Sequence, residues 1–99
     1  MYVYAVNYDL SGPVQNYGPL IEALKGFRRW CTPTKSQWLI VSEYSAADVA
    51  NYLLKFIDND DRLIVTELAC DAAWYGLPPD VSQWLKEVLG NPRGTARYY

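Results

Sequence analysis

Residues 1–9, Met1-Tyr2-Val3-Tyr4-Ala5-Val6-Asn7-Tyr8-Asp9, alternate with a period of two, setting Tyr2, Tyr4, Val6 and Tyr8 on one side and Val3, Ala5 and Asn7 on the other. Aromatic and β-branched side chains pack well on a pleated backbone, so this stretch reads as a first strand. Leu10-Ser11-Gly12-Pro13 then breaks it with turn residues. A helix is expected from near Asn16, because Leu20, Ile21, Leu24 and Phe27 recur at helical spacing and Pro19 is tolerated only in a first turn.

Outward from there the pattern switches back to strands. Arg28 to Thr34 reads as a short second strand around Trp30, marked as an edge by Pro33, which cannot donate to a sheet ladder. Across the turn Thr34-Lys35-Ser36, the apolar run in Gln37 to Glu43 reads as a third, central strand. Ser45 and Asp48 have capping-box spacing, with Asp in place of the usual Glu, ahead of an apolar stripe of Val49, Leu53, Phe56 and Ile57. Asp58-Asn59-Asp60-Asp61 ends that helix, and Arg62 to Leu68 reads as a fourth strand. Pro78-Pro79-Asp80 opens a short further helix with Val81, Trp84, Leu85, Val88 and Leu89 on one face and Gly90 past its end.

The order βαββαβ predicts an α+β, ferredoxin-like sandwich: an antiparallel four-stranded sheet with strands one and three central and two helices on one face, plus the short C-terminal helix. Residues 1–90 are expected to form a single domain and residues 91–99 a flexible tail. If Val3 and Ala5 lie under the two helices, then Tyr2, Tyr4 and Tyr8 line the opposite face, joined by Trp38 and Ile40 or by Leu39 and Val41. Such an aromatic face needs cover by a partner subunit, by stacked bases, or by the helix of residues 81–89.

Composition narrows the chemistry. The chain has 99 residues, half of them apolar, with nine Tyr and four Trp, which excludes disorder and provides for a packed core. The net charge of −2 supplies no broad positive field for sequence-independent nucleic-acid binding. Arg28, Arg29 and Lys35, with Arg93 and Arg97 near the C-terminus, offer local basic contacts only. No apolar run is long enough to span a bilayer and the N-terminus lacks the charged leader of a signal peptide, so a cytoplasmic protein without membrane contact is expected. Histidine is absent, which rules out Ser-His and Cys-His nucleophile systems within the chain. Cys31 and Cys70 are too few for a zinc site and are read as small hydrophobes on opposite edges of the sheet. Metal chemistry would have to use carboxylates, and the Asp58–Asp61 run is not a calcium loop, because its glycine position is Leu63 and its closing position Ala69.

The βαββαβ order, the Tyr8-Asp9 pair ending strand one and Lys35-Ser36-Gln37-Trp38 leading into strand three together resemble the CRISPR-associated two family, the small ferredoxin-like subunit of spacer-acquisition complexes. The resemblance covers Met1 to Leu68. Asp71-Ala72-Ala73-Trp74 and the helix after it look closer still to uncharacterised small proteins grouped with that family. In the family two such subunits pair, and the Asp matched by Asp9 is held to bind a divalent metal at the dimer axis in members reported as nucleases. Hard cations such as Mg²⁺ take carboxylate oxygens and can activate water for phosphodiester attack.

Two functional expectations follow. The first is a non-catalytic binding module, resembling that family, that forms a homodimer through its aromatic sheet face and engages a protein or nucleic-acid partner, in a setting of defence against phage or mobile elements. It requires no cofactor, and its candidate binding residues are Tyr2, Tyr4, Tyr8, Trp38, Asp71 and Trp74. The alternative is a metal-dependent endoribonuclease or endodeoxyribonuclease in which Asp9, duplicated across a dimer axis, is both the metal ligand and the catalytic residue and holds Mg²⁺ or Mn²⁺. Beside these stand plainer roles: Asp9 accepting backbone hydrogen bonds through Ser11 and Gly12, and Trp74 anchoring the last helix.

Overall fold

A computed structural model of the chain describes residues 1–12, 17–35, 37–69, 71–89 and 97–98. Strand β1 (Tyr2–Asp9) leads to α1 (Gly18–Lys25), β2 (Trp30–Thr34), β3 (Gln37–Ser42), α2 (Ala46–Leu53) and β4 (Arg62–Glu67), followed by β5 (Ala73–Trp74), α3 (Pro79–Val88) and β6 (Arg97–Tyr98). The first four strands form one sheet in the order β2-β3-β1-β4, with every neighbouring pair antiparallel. This order places β1 and β3 in the centre, as expected, and is compatible with a ferredoxin-like fold. Apart from β6, whose backbone pairs with β5, the expected tail of residues 91–99 lies outside the described residues, as does Cys70.

The elements begin and end for local reasons. Pro19 is the second residue of α1, where its missing N–H leaves no bond unmade. Ser45 Oγ accepts the Asp48 N–H at 3.1 Å at the start of α2, a cap worth about 1 kcal/mol. The last turn of that helix tightens into a 3-10 segment, Leu54–Phe56, before the chain extends at Ile57. Pro79 opens α3 with Asp80 in its first turn, which suits the helix dipole. The β2–β3 register shifts between Cys31 and Thr34, where Pro33 withdraws its donor.

Helices cover both faces of the sheet. On one face Tyr4 and Val6 of β1 and Trp38 and Ile40 of β3 pack with Leu20 and Leu24 of α1 and Val49 and Leu53 of α2. On the other, Val3, Ala5, Cys31 and Leu39 pack with Leu85 of α3 and with Leu89, just beyond it. This reverses the expected assignment. Tyr4 lies under α1 and α2, whereas Val3 and Ala5 meet α3, so the C-terminal helix covers the face opposite the aromatic one. The reversal is physically acceptable because the buried polar atoms find partners: Tyr4 Oη donates to the Tyr44 carbonyl at 2.6 Å, and Trp38 Nε1 donates to Tyr8 Oη at 3.3 Å.

Candidate functional site

Asp9 ends β1 in register with Arg62 of β4, and it is exposed. Among the described residues no group of three or more His, Cys, Asp or Glu stands together to hold a metal ion. Glu67 lies opposite Tyr4 on β4, at the far end of that pairing from Asp9, and Asp71 is exposed beyond the strand. Among the described residues Asp9 thus belongs to no cluster of three such groups.

Asp61 closes the loop that follows β1. Its Oδ1 accepts the Ser11 N–H at 2.8 Å and the Ser11 hydroxyl at 3.1 Å, and its Oδ2 accepts the Asp58 N–H at 2.7 Å. Hydrogen bonds from the Asp58 and Ser11 backbones hold this carboxyl below the usual carboxylate range. The acidic run thus ties the exit of α2 to the loop after β1.

The remaining candidate residues separate into two groups. Tyr4 and Trp38 are only 3% and 5% exposed and belong to the core, while Tyr8 is half-buried beside Tyr17 with the rings edge-on. Tyr2, by contrast, is exposed. Trp74 is half-buried against the α3 core and its Nε1 donates to Ser82 Oγ at 2.9 Å, which is the anchoring role for that helix. Arg29 adds to the same docking, with its guanidinium 5.9 Å from the Trp84 ring centroid and 3.5 Å from the Glu87 carboxylate.

A different constellation emerges between α1 and α2. A groove of about 520 Å³ opens there, with Ala23, Gly26 and Phe27 along the α1 wall and Tyr44, Asp48, Val49 and Tyr52 along the other. Phe27 and Tyr52 meet edge-to-face at 6.2 Å, and Tyr52 and Phe56 do so at 5.4 Å, so the Tyr52 ring is held from two sides. A Cβ at Gly26 would stand 3.2 Å from the Ala23 carbonyl oxygen, a tight approach that glycine avoids.

Tyr44 is the most unusual member. Its carbonyl accepts from Tyr4 and its N–H donates to Ser42 Oγ at 3.0 Å, yet its side chain leaves the residue 66% exposed. Burial, then the charges of Glu67, Tyr2 and Asp48, raise the Tyr4 pKa, so its hydroxyl remains a donor through neutral pH. A clamped backbone carrying an open ring is a geometry suited to contact with another molecule, because little backbone entropy remains to be lost on binding.

Sequence reasoning passed over this groove. Its available signal was Tyr52, an aromatic one turn beyond Asp48 and off the buried Val49–Leu53 stripe of the same helix. Phe27 was visible only as the last member of an apolar stripe, and the spatial meeting of Tyr44 with α1 has no local signature. No protein-family model, curated protein or solved structure matches the chain.

Proposed function

We propose that this chain is a non-catalytic binding module of ferredoxin-like architecture that engages a protein partner through the groove between α1 and α2. The observation that carries the reading is the exposed Tyr44 ring on a doubly hydrogen-bonded backbone, beside Phe27 and Tyr52. The strand order supports the ferredoxin-like part, and the resemblance to the CRISPR-associated two family over Met1 to Leu68 fits the same architecture. Tyr4 and Trp38 are committed to the core, so the aromatic sheet face is not the contact surface in this reading. A second copy would meet the chain at β4 instead, an outer strand on which Ile64 is 56% exposed. No helix among the described residues is long and apolar enough to cross a membrane.

Site-specific photocrosslinking tests the reading. A photoreactive phenylalanine analogue at Tyr44 is expected to yield a discrete protein adduct in host extract, while the same group at Tyr75, which is more exposed, yields none. Equal labelling at both positions, or none at Tyr44, overturns it. RNA and DNA panels with Mg²⁺ or Mn²⁺ examine the alternative: cleavage lost in a folded Asp9→Asn variant would replace the binding reading by a metal-dependent endonuclease.

A further inference from the structure

One carboxylate residue, Asp48, and three aromatic rings line the α1–α2 groove. Asp48 lines one side, in the first turn of α2 and one helical turn before Tyr52. The opposite wall contains Ala23 and Gly26 at the C-terminal end of α1, where the Ala23 and Leu24 carbonyls accept the Gly26 and Phe27 N–H groups. Phe27, Tyr44 and Tyr52 add aromatic rings, whose faces attract cations. The chain already uses one of these rings in that way, since Lys55 Nζ lies 5.7 Å from the Tyr52 centroid. Among the described residues no cation lines the cavity, although Lys25 and Arg28 flank it in sequence.

We infer that the groove receives one cationic side chain, the guanidinium of an Arg or the ammonium of a Lys on the protein partner, with its charge toward Asp48 and its stem among Phe27, Tyr44 and Tyr52. This inference rests on the binding-module reading and names the chemistry of the partner. An acidic residue on an aromatic-walled groove favours a cation with an apolar stem over a purely apolar insert, because the stem takes the ring surface while the charge answers the carboxylate. The groove is open, and its volume of about 520 Å³ leaves room for a side chain.

The test is an amide-resolved NMR titration of the full chain with capped Ala-Ala-Arg-Ala-Ala and Ala-Ala-Lys-Ala-Ala peptides at low salt. Matched peptides carry the neutral isostere citrulline or apolar norleucine at the centre. Shifts converging on Phe27, Tyr44, Asp48 and Tyr52, at least fivefold weaker with citrulline, are expected. Asp48→Asn should weaken the Arg peptide severalfold, Tyr52→Leu should abolish its binding, and Lys55→Met should strengthen it by removing a competing cation. Tyr52 is 43% exposed, so the Tyr52→Leu variant is expected to keep its fold, and amide dispersion checks this. Equal shifts with arginine and citrulline, or shifts centred on the acidic residues 58–61, overturn the inference. If norleucine moves the groove amides as well as arginine does, the cation preference falls and the binding-module reading stands. If no peptide moves them, the inference falls, and the binding-module reading is decided by the crosslinking at Tyr44. Binding of tetramethylammonium without binding of any peptide would assign the groove to a small organic cation and likewise overturn the inference.

Discussion

The two faces of the sheet are packed by different means. Under α1 and α2 the sheet presents large rings, Tyr4 and Trp38, with Val6 and Ile40 between them, and two helices enclose them until Leu20, Leu24, Ile40 and Leu53 are fully buried. Under α3 it presents the smaller Val3, Ala5 and Cys31 with Leu39, and a single helix crosses them. The far end of that face remains open: Asp9, Arg62, Ile64 and Thr66 are exposed. Rings on a sheet need two flanking helices to close over them, whereas small side chains let one helix lie close. The first face should therefore behave as the cooperative core and the second as a docked layer.

The strongest challenge to this contrast comes from paired truncations. Leu24→Ala empties part of the fully buried face and is expected to cost about 2–5 kcal/mol, with amide protection lost across the whole sheet at once. Leu85→Ala should fall at the lower end of the same range and release α3 locally, its amides exchanging while those of β1 and β3 stay protected. Chemical denaturation read by hydrogen exchange separates the outcomes. Equal costs with a single cooperative transition would make the two faces one unit.

A smaller effect distinguishes the faces by their buried acids. Tyr4→Phe removes the hydroxyl that clamps Tyr44 and is expected to cost about 1 kcal/mol at neutral pH. Because the native Tyr4 pKa is raised above its ordinary value of 10.0, its contribution is complete below that value and disappears as pH climbs through the raised one. Cys31, on the α3 face, is pushed from 9.0 to about 11 by burial first and by the Asp80 charge second, so its contribution is lost as pH rises through about 11. Alkaline denaturation profiles should therefore flatten in Tyr4→Phe and separately in Cys31→Ala. Parallel profiles for the parent and both variants would break the assignment.

The least effect is expected at the rim of α3. Arg29→Gln removes an ion pair whose partners are about half exposed, together with the contact to Trp84, and should cost less than about 1 kcal/mol. Added salt should shrink the difference between the variant and the parent. A loss as large as that of Leu85→Ala would mean that α3 is held by its rim rather than by its apolar face.

Much of the architecture was legible because its signals are local. Ser45 before Asp48, Pro19 in a first turn, Pro33 in an outer strand and Pro79 at a helix start each act within a few residues, and each lies where its chemistry predicts. The candidate site was not legible in the same way. Asp9 was the prominent carboxylate by position, yet the carboxylate that closes the neighbouring loop is Asp61, fifty residues from Ser11 along the chain. Likewise, Phe27 meets Tyr52 and shares a groove with Tyr44 only because α1 and α2 lie side by side.

Period-two alternation in residues 1–9 determined by itself that β1 has two apolar faces, and which residues share each. It could not say which face would meet which helices, because an alternating strand buried on both sides carries the same pattern in either orientation. Tertiary packing decided that. The face whose rings could hydrogen-bond within the core, Tyr4 to the Tyr44 carbonyl and Trp38 to Tyr8, went beneath α1 and α2, and the small side chains were left for α3.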